Sequence, residues 1–287
     1  MTYAILLTGA AGGFGRLIAN TLLDRGHRLV ATMREPDGRN RDAAQTLAAR
    51  GASVIAMDVT DDASVAQASQ ALGSPDVVIH NAGVGVLGLQ EAFIADDLKR
   101  LFDINVFGVH RLNRALLPAW RTRRSGLMVN VSSLLGRVTM PFYGPYNASK
   151  WALEALSENY RSELSAFGIE VCIVEPGGYA TSFIDHLLRP SDATRSSTYG
   201  GMAEAPQQML QHFEQVLAAT PAQNPQRVAD AIADLVGMPA GGRPFRTTVD
   251  ALGMGAAIEG YNGALAELTT ELYKNFGIEH MLSVKRA

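Results

Sequence analysis

The sequence predicts an α/β fold in which a doubly wound parallel sheet of about seven strands carries helices on both faces. Short β-rich apolar runs alternate along the chain with longer stretches of helical periodicity, which is the pattern of repeated βαβ units. Two of the runs, 77–79 and 127–131, are apolar almost throughout, as expected for central strands that are buried on both faces.

The elements follow one another in regular order. The β-rich runs are at residues 3–8, 28–33, 53–58, 76–80, 126–132, 169–175 and 244–249. The helical stretches are near 14–25, 40–50, 61–72, 91–123, 145–167 and 224–237. No repeat of fixed period and no low-complexity linker interrupts them, so we expect a single domain over residues 1–287.

Two segments depart from this alternation. Residues 182–222 are too long for an ordinary connection between a strand and a helix, and apolar residues at helical spacing within them predict a substrate lid that contains a helix. The tail, about 256–276, is predicted to be a helical extension. We expect its apolar stripe to be buried, either on the body of the chain or across a subunit interface. The stripe consists of Ile258, Tyr261, Leu265, Leu268 and Leu272.

Composition excludes several classes of protein. A net charge of −3 over 287 residues gives no reason to expect nucleic acid or an anionic membrane as a partner. The single cysteine, Cys172, lies in an apolar run and is expected to be a buried, inert thiol. The histidines show no metal-ligand spacing, so no metal is expected. The N-terminus lacks the features of a signal peptide and no run approaches 18 apolar residues, so a cytoplasmic location is expected.

A glycine-rich turn joins the first strand to the first helix. Gly9, Gly13, Phe14 and Gly15 lie in this turn, directly after Thr8. Glycine permits a tight turn and lets the backbone approach a pyrophosphate, which a helix N-terminus attracts. The turn therefore predicts a dinucleotide site.

A tyrosine and a lysine further along the chain can support proton transfer at a carbonyl. Tyr146 and Lys150 are four residues apart on a helix that Pro145 can open, so they share a face. A cation about 4 Å away contributes on the order of 4 kcal/mol at an effective dielectric constant of ~20, which could lower the pKa of a tyrosine by about three units. A serine upstream, Ser133 or its neighbour Ser132, could hold the carbonyl oxygen.

Together these motifs resemble the short-chain dehydrogenase/reductase family, in its shorter, reductase-type branch, and the match runs along most of the chain. The resemblance implies a Rossmann-type sheet and hydride transfer between a nicotinamide and a carbonyl carbon. The interval of thirteen residues before Tyr146 matches the family's usual spacing for Ser133. In the family the serine holds the carbonyl oxygen, the tyrosine transfers the proton and Lys150 binds the nicotinamide ribose. Asn105 matches an asparagine that holds a water beside the lysine; alternatively, it is a buried polar residue satisfied by the backbone.

The resemblance also assigns residues at the adenine side of the cofactor. Asn81, Ala82 and Gly83 end the fourth strand and match a motif that supports the sheet beside the cofactor. Asp58 matches an aspartate that faces the adenine amine, and Val59 contributes backbone. The alternative role for Asp58 is a cap for the helix that follows.

At the nicotinamide side, the run that follows the sixth strand matches a Pro-Gly-x-x-x-Thr motif. Pro176 and Gly177 begin it and Thr181 ends it. In the family, the backbone near Tyr179 and the threonine hydroxyl hold the carboxamide. The alternative is an ordinary Pro-Gly turn.

The end of the second strand indicates which cofactor is used. Met33 stands where NAD-dependent relatives usually carry aspartate, and Arg34 follows. The planar guanidinium suits the 2′-phosphate of NADP. Glu35 could compete for a ribose hydroxyl, and Arg16 could assist, but NADP(H) is favoured over NAD(H).

The sequence indicates the substrate only as a broad chemical class. Residues 84–93, 134–143 and 182–220 are expected to form the pocket, and their leucines, phenylalanines and methionines suit a lipophilic ketone, aldehyde or alcohol. Two alternatives remain. Gly9, Gly12 and Gly15 also fit the spacing of nucleotide-sugar epimerases and dehydratases, which carry a larger C-terminal domain. A non-enzymatic NADP-sensing protein would lack the tyrosine and lysine. As in much of the family, a homo-oligomer (dimer or tetramer) is expected.

Overall fold

A computed structural model describes residues 1–285 and contains a seven-stranded parallel sheet in the order β3-β2-β1-β4-β5-β6-β7. The strands are β1 (Ala4–Leu7), β2 (Arg28–Met33), β3 (Ser53–Ala56), β4 (Val77–His80), β5 (Gly126–Val131), β6 (Ile169–Pro176) and β7 (Arg246–Val249). The predicted Rossmann-type sheet is confirmed. The chain reverses its direction of travel across the sheet between β1 and β4, which is where ligands bind in such folds.

The helices follow the strands in the predicted order. They are α1 (Gly13–Asp24), α2 (Arg41–Ala49), α3 (Asp62–Leu72), α4 (Ala95–Phe102), α5 (Gly108–Arg123), α6 (Gly144–Leu164), α7 (Ser182–Asp185), α8 (Ala193–Ser197), α9 (Ala205–Ala219), α10 (Gln226–Gly237) and α11 (Gly255–Asn275). The single helix expected over 91–123 is wrong in one respect. One turn of π-helix, Asp103–Phe107, separates α4 from α5, because an extra residue there widens the helix.

Apolar side chains cover both faces of the sheet. Successive residues of β1 point to opposite sides, so that Ile5 and Leu7 join a core with α1, α2 and α10, while Leu6 joins a second core with α3 and α5. Cys172 is buried in the first core, and burial raises the pKa of its thiol to about 12. The thiol therefore stays protonated.

The segment predicted to be a lid contains α7, α8 and α9. It is attached to the loop after β4 by backbone pairing, because the Leu87 amide donates to the Leu188 carbonyl and the Leu188 amide donates to Gly85, both at 2.9 Å. That this segment opens and closes over a substrate stays a prediction.

The tail forms the expected helix, α11, but most of its apolar stripe is not buried on the chain. Ile258 is buried, whereas Leu268 and Leu272 are 65% and 50% exposed. The face that packs against the body is partly polar: Asn262 donates to Glu175 at 2.6 Å, and the Tyr273 hydroxyl lies 3.0 Å from that of Ser162. Burial of the stripe on the chain's own body is therefore wrong for this half of the helix.

None of the helices among residues 1–285 combines the length and the apolar character needed to span a bilayer.

Candidate active site

The sequence-predicted site residues lie at one edge of the sheet. The glycine turn follows β1, Asn81 follows β4, Ser133 follows β5, and Pro176 ends β6. Because parallel strands end at the same edge, these segments become neighbours although they are far apart in the chain.

The glycine turn is closely packed. Gly9 and Gly13 have φ values of 66° and 51°, which favour glycine. A Cβ at Gly15 would lie 2.1 Å from the Gly9 carbonyl oxygen, so any side chain there would break the turn. The Asn81 amide donates to the Gly9 carbonyl at 3.1 Å and holds the turn against the end of β4, where a Cβ at Gly9 would also meet Ala82 at 2.9 Å.

The start of α1 has no side-chain cap, so its first amides are available to an anion, with one exception. The Gly13 amide donates to the hydroxyl of Ser182, 169 residues away, at 3.1 Å. Ser182 begins α7, and Thr181 caps this helix by accepting from the Phe183 amide. The beginning of the lid segment thus contacts the cofactor turn directly. No sequence motif indicated Ser182, since only the folded chain brings it to the turn.

At the adenine side, the alternative role of Asp58 as a helix cap is wrong. Asp58 Oδ1 accepts from the amide and hydroxyl of Thr60, at 2.9 and 2.8 Å, whereas Asp61 is the residue that caps α3. Burial acts to raise the pKa of Asp58, but the hydrogen bonds from Thr60 and the charge of Arg34 outweigh it, so this pKa lies below its ordinary value. A carboxylate at the end of β3 is therefore available to accept from an amine.

Arg34 is exposed directly after β2, and it is near enough to Asp58 for its charge to lower the pKa of that carboxyl. The carboxylate of Glu35 pairs with Arg39 at 3.5 Å. Glu35 is thereby drawn toward Arg39, which weakens its role as a competitor for a ribose hydroxyl. Arg39 is a second cation near this edge that the sequence analysis did not include.

The catalytic candidates are buried together. Ser133, Tyr146 and Lys150 are each less than 10% exposed, and Lys150 Nζ lies 5.6 Å from the centroid of the Tyr146 ring. Lys150 Nζ donates to the Val131 carbonyl at 2.9 Å, which fixes it at the end of β5. The Phe183 ring packs on Tyr146 at a centroid distance of 5.8 Å.

Burial determines the protonation of this pair. It raises the pKa of Tyr146 to about 12, against an opposing hydrogen bond from Ser133. It lowers the pKa of Lys150 to about 8, against the opposing charge of Glu154. Burial dominates the pKa of Tyr146 in this arrangement, because the ring is desolvated beneath Phe183 and the ammonium of Lys150 is bonded to Val131. That Lys150 stabilises negative charge on the phenol during the reaction stays a prediction.

Asn105 lies in the π-helical turn between α4 and α5. Its amide group accepts from the Val84 amide and donates to the Val84 carbonyl, both at 2.9 Å, and it also donates to Ser149 at 3.1 Å. These bonds satisfy the amide as the structural alternative expects, and the role of holding a water beside Lys150 stays a prediction. A Cβ at Gly83 would lie 3.3 Å from Asn105 Oδ1 and 3.9 Å from Lys150 Nζ, so both side chains border the space that Gly83 leaves open.

The nicotinamide-side loop is held by the end of β7. The Gly177 amide donates to the Val249 carbonyl at 2.8 Å, and the buried Tyr179 hydroxyl donates to the same carbonyl at 3.1 Å. The Tyr179 ring also makes an edge contact with Phe14 of the glycine turn, with centroids 5.5 Å apart. This packing is more than an ordinary Pro-Gly turn requires, and it joins the two cofactor segments.

The fold, the glycine turn and the Ser-Tyr-Lys group together define an oxidoreductase. Comparison with known proteins identifies the family: residues 3–190 match the family model for short chain dehydrogenase, and the chain belongs to this family.

Relatives act on several kinds of molecule. The chain is 36% identical over 189 residues to 3-ketodihydrosphingosine reductase of Bacteroides thetaiotaomicron, covering 63% of this chain and 66% of that protein. It is 34% identical over 235 residues to 17-beta-hydroxysteroid dehydrogenase type 1 of Homo sapiens, covering 79% and 71% respectively. Among solved structures, a short-chain dehydrogenase from Streptomyces avermitilis superposes with a TM-score of 0.72 at 30% identity, covering 96% of this chain and 98% of that one.

Proposed function

We propose that this oxidoreductase uses NADP(H) to interconvert a lipophilic ketone or aldehyde and the corresponding alcohol. The observation that carries the proposal is the placement of Ser133, Tyr146 and Lys150, all buried at the edge of the sheet beside the glycine turn. The family supplies the reaction class, and the relatives named above are a reductase and a dehydrogenase.

The cofactor fits the residues present. A Cβ at Gly9 would meet Ala82 and one at Gly15 would meet the Gly9 carbonyl, so glycine keeps this turn tight. The uncapped start of α1 that follows offers amides to a pyrophosphate. We assign Arg34 to the 2′-phosphate and Asp58 to the adenine amine. We assign the nicotinamide end to the loop from Pro176 through Tyr179 to Thr181, and the adjoining backbone positions to Val59, Ala82 and Gly83.

The bound cofactor would supply or accept the hydride, and the protein would manage the proton. Ser133 holds the carbonyl oxygen by a hydrogen bond. Tyr146 donates the proton to this oxygen in reduction, and burial favours the protonated phenol that this step needs. Lys150 binds the nicotinamide ribose and stabilises negative charge on the phenol. Asn105 positions a water for proton delivery to Lys150.

The surroundings of Tyr146 support a lipophilic substrate. Tyr146 belongs to an apolar cluster that lies between α4, the loop after β4 and the lid segment. The other members are Val84, Val86, Phe93, Leu98, Leu101, Leu135, Tyr143, Phe183 and Leu188. The substrates that the names of two relatives indicate, a ketosphingoid and a steroid, have the same apolar character.

The alternative of an epimerase or dehydratase receives less support. It expects a larger C-terminal domain, whereas the described residues after β7 form α11 and one short 3-10 turn, Glu279–Leu282.

The test is oxidation of NADPH in the presence of 3-ketodihydrosphingosine, a 17-ketosteroid and retinal. Tyr146→Phe keeps the ring and removes the proton donor, so turnover should fall at least ~10²-fold while NADPH binding persists. Tyr143→Phe is the matched control, since it removes a half-buried hydroxyl from the same segment and should retain turnover. If Tyr146→Phe kept more than about a tenth of the wild-type rate, the mechanism would be wrong.

We also propose a cytoplasmic homo-oligomer, a dimer or tetramer, built on α5 and α6. Phe107, directly before α5, and Trp151, in the first half of α6, are 51% and 40% exposed, and the exposed stripe of α11 offers further apolar surface. Sedimentation of the full chain and of a chain ending at Gly255 would test this. An unchanged monomeric mass would contradict it.

A further inference from the structure

Five charged side chains converge behind the catalytic residues and form a buried ionic cluster. They come from four parts of the chain: the turn after Ser133, helix α6, and strands β6 and β7. The members are Arg137, Glu154, Glu158, Glu175 and Arg246. Only Glu158 is substantially exposed, at 36% of its side chain.

The contacts within the cluster are numerous. Arg137 lies 3.4 Å from Glu154 and 3.3 Å from both Glu158 and Glu175. Arg246 lies 3.2 Å from Glu154 and 3.3 Å from Glu175, and it also contacts Glu158. Each arginine therefore bridges all three carboxylates.

The cluster carries one more carboxylate than it has arginines. Lys150 is a buried cation one helical turn before Glu154 on the same face of α6. Within residues 1–285, Lys150 forms no ion pair, and its one hydrogen bond is to the Val131 carbonyl. Glu154 is the charged group whose field supports the ammonium.

Glu154 also lies against the segment that carries the catalytic serine. A Cβ at Gly136 would be 3.3 Å from Glu154 Oε1 and 2.9 Å from the hydroxyl of Ser132, the residue before Ser133. The carboxylate thus lies behind Lys150 and the serine segment at once.

We propose that Glu154 is a positioning residue for the reaction: held by Arg137 and Arg246, its buried carboxylate keeps Lys150 protonated. The inference rests on the proposed function, in which the ammonium of Lys150 stabilises charge on the phenol of Tyr146. It extends that function by giving the buried ionic cluster a role in the chemistry, in addition to joining α6 to β6 and β7.

The pH range follows from all the groups that face these two side chains. Burial, and then the charge of Glu175, raise the pKa of Glu154 to about 6, and Arg137 opposes them. Since the pKa of Lys150 is about 8, Glu154 and Lys150 are both charged between pH 6 and 8. Further groups face these two side chains. Tyr146 faces Lys150, while Arg246 and Glu158 face Glu154. Tyr261 of α11 faces Arg137, with its ring centroid 5.8 Å from the guanidinium.

The direct test is the titration of Lys150 itself. The chain has four lysines, so protein labelled with ¹³C at lysine Cε gives few signals, and the signal of Lys150 is identified by its loss in Lys150→Arg. Glu154→Gln removes a negative charge one helical turn from Lys150 on the same face of α6, and the two arginines that bridge this carboxylate screen part of its field. The pKa of Lys150 should therefore fall, by about one unit.

Three further variants separate charge from packing. Glu158→Gln, the matched control, removes a charge from the same arginines two turns from Lys150 and nearer to solvent, and should shift this pKa by less than about half a unit. Glu154→Asp keeps the charge and should restore the pKa. Arg246→Gln should shift it upward, which provides a test of opposite sign if Glu154→Gln does not fold.

Enzyme kinetics supply the second readout. Reduction needs protonated Lys150, so in Glu154→Gln the alkaline limb of kcat/KM should move to lower pH by the same amount as the NMR titration. An unshifted pKa of Lys150 in Glu154→Gln, or a shift of the same size in Glu154→Asp, would overturn the inference. Failure of the wild type to reduce any carbonyl would reject the proposed function, while the NMR titration would still decide the role of Glu154.

Discussion

The contact between Ser182 and the glycine turn predicts that removal of the Ser182 hydroxyl makes cofactor binding tighter. The Ser182 hydroxyl accepts from the Gly13 amide at 3.1 Å, and this amide belongs to the uncapped first turn of α1, where the pyrophosphate is expected. Cofactor and serine therefore compete for one donor. A net hydrogen bond at an exposed position contributes about 0.5–1 kcal/mol, so Ser182→Ala should lower the Kd for NADPH about two- to five-fold.

The assay is fluorescence titration of NADPH into wild type and Ser182→Ala. Ser197→Ala is the matched control, because this hydroxyl of the same segment bonds, among the described residues, only to the Thr194 carbonyl of its own helix. Its Kd should equal that of the wild type. A higher Kd in Ser182→Ala would show that the serine donates to the bound phosphate. An unchanged Kd would show that the serine does not compete with the cofactor for the Gly13 amide. Either result would refute the reasoning.

Further predictions concern the cofactor, the catalytic pair and acid stability. Arg34→Ala should weaken NADPH binding roughly 10- to 150-fold, because a charge-assisted contact is worth ~1.5–3 kcal/mol, and should have little effect on NADH binding. Met33→Asp should move the preference toward NADH. Paired titrations with NADPH and NADH would measure both effects. Lys150→Ala should reduce both turnover and NADPH affinity, whereas Ser133→Ala should reduce turnover alone. Burial lowers the pKa of His80 from 6.5 to about 4, so the unfolded chain binds a proton at this residue at higher pH than the folded chain does. The free energy of unfolding, measured by denaturant titration, should therefore decrease by about 3 kcal/mol as the pH falls from 6.5 to 4. The decrease should be smaller in His80→Gln.

The strands and the family motifs could be predicted because their signals are local. Each strand is a short apolar run, and the glycine turn lies within a few residues of the first strand. Tyr146 and Lys150 are one helical turn apart, so their common face follows from helix geometry. All seven strands therefore occur where the sequence placed them.

The parts that sequence reasoning missed depend on contacts between distant segments. No local pattern marks the extra residue of the π-helical turn at Asn105, or the contact of Ser182 with Gly13. The packing face of α11 has a physical reason: Asn262 donates to the buried carboxylate of Glu175, so this polar face turns inward and Leu268 turns outward.

The strand order has a consequence for how the chain can be shortened safely. The outer strands of the sheet are β3 and β7, which are four residues each and only partly buried, so they offer little template for pairing with another molecule. The inner neighbour of β7 is β6, which is eight residues long and buried throughout. A chain cut before Arg246 would leave β6 as an unprotected edge, and aggregation, rather than loss of a catalytic group, would be its first defect.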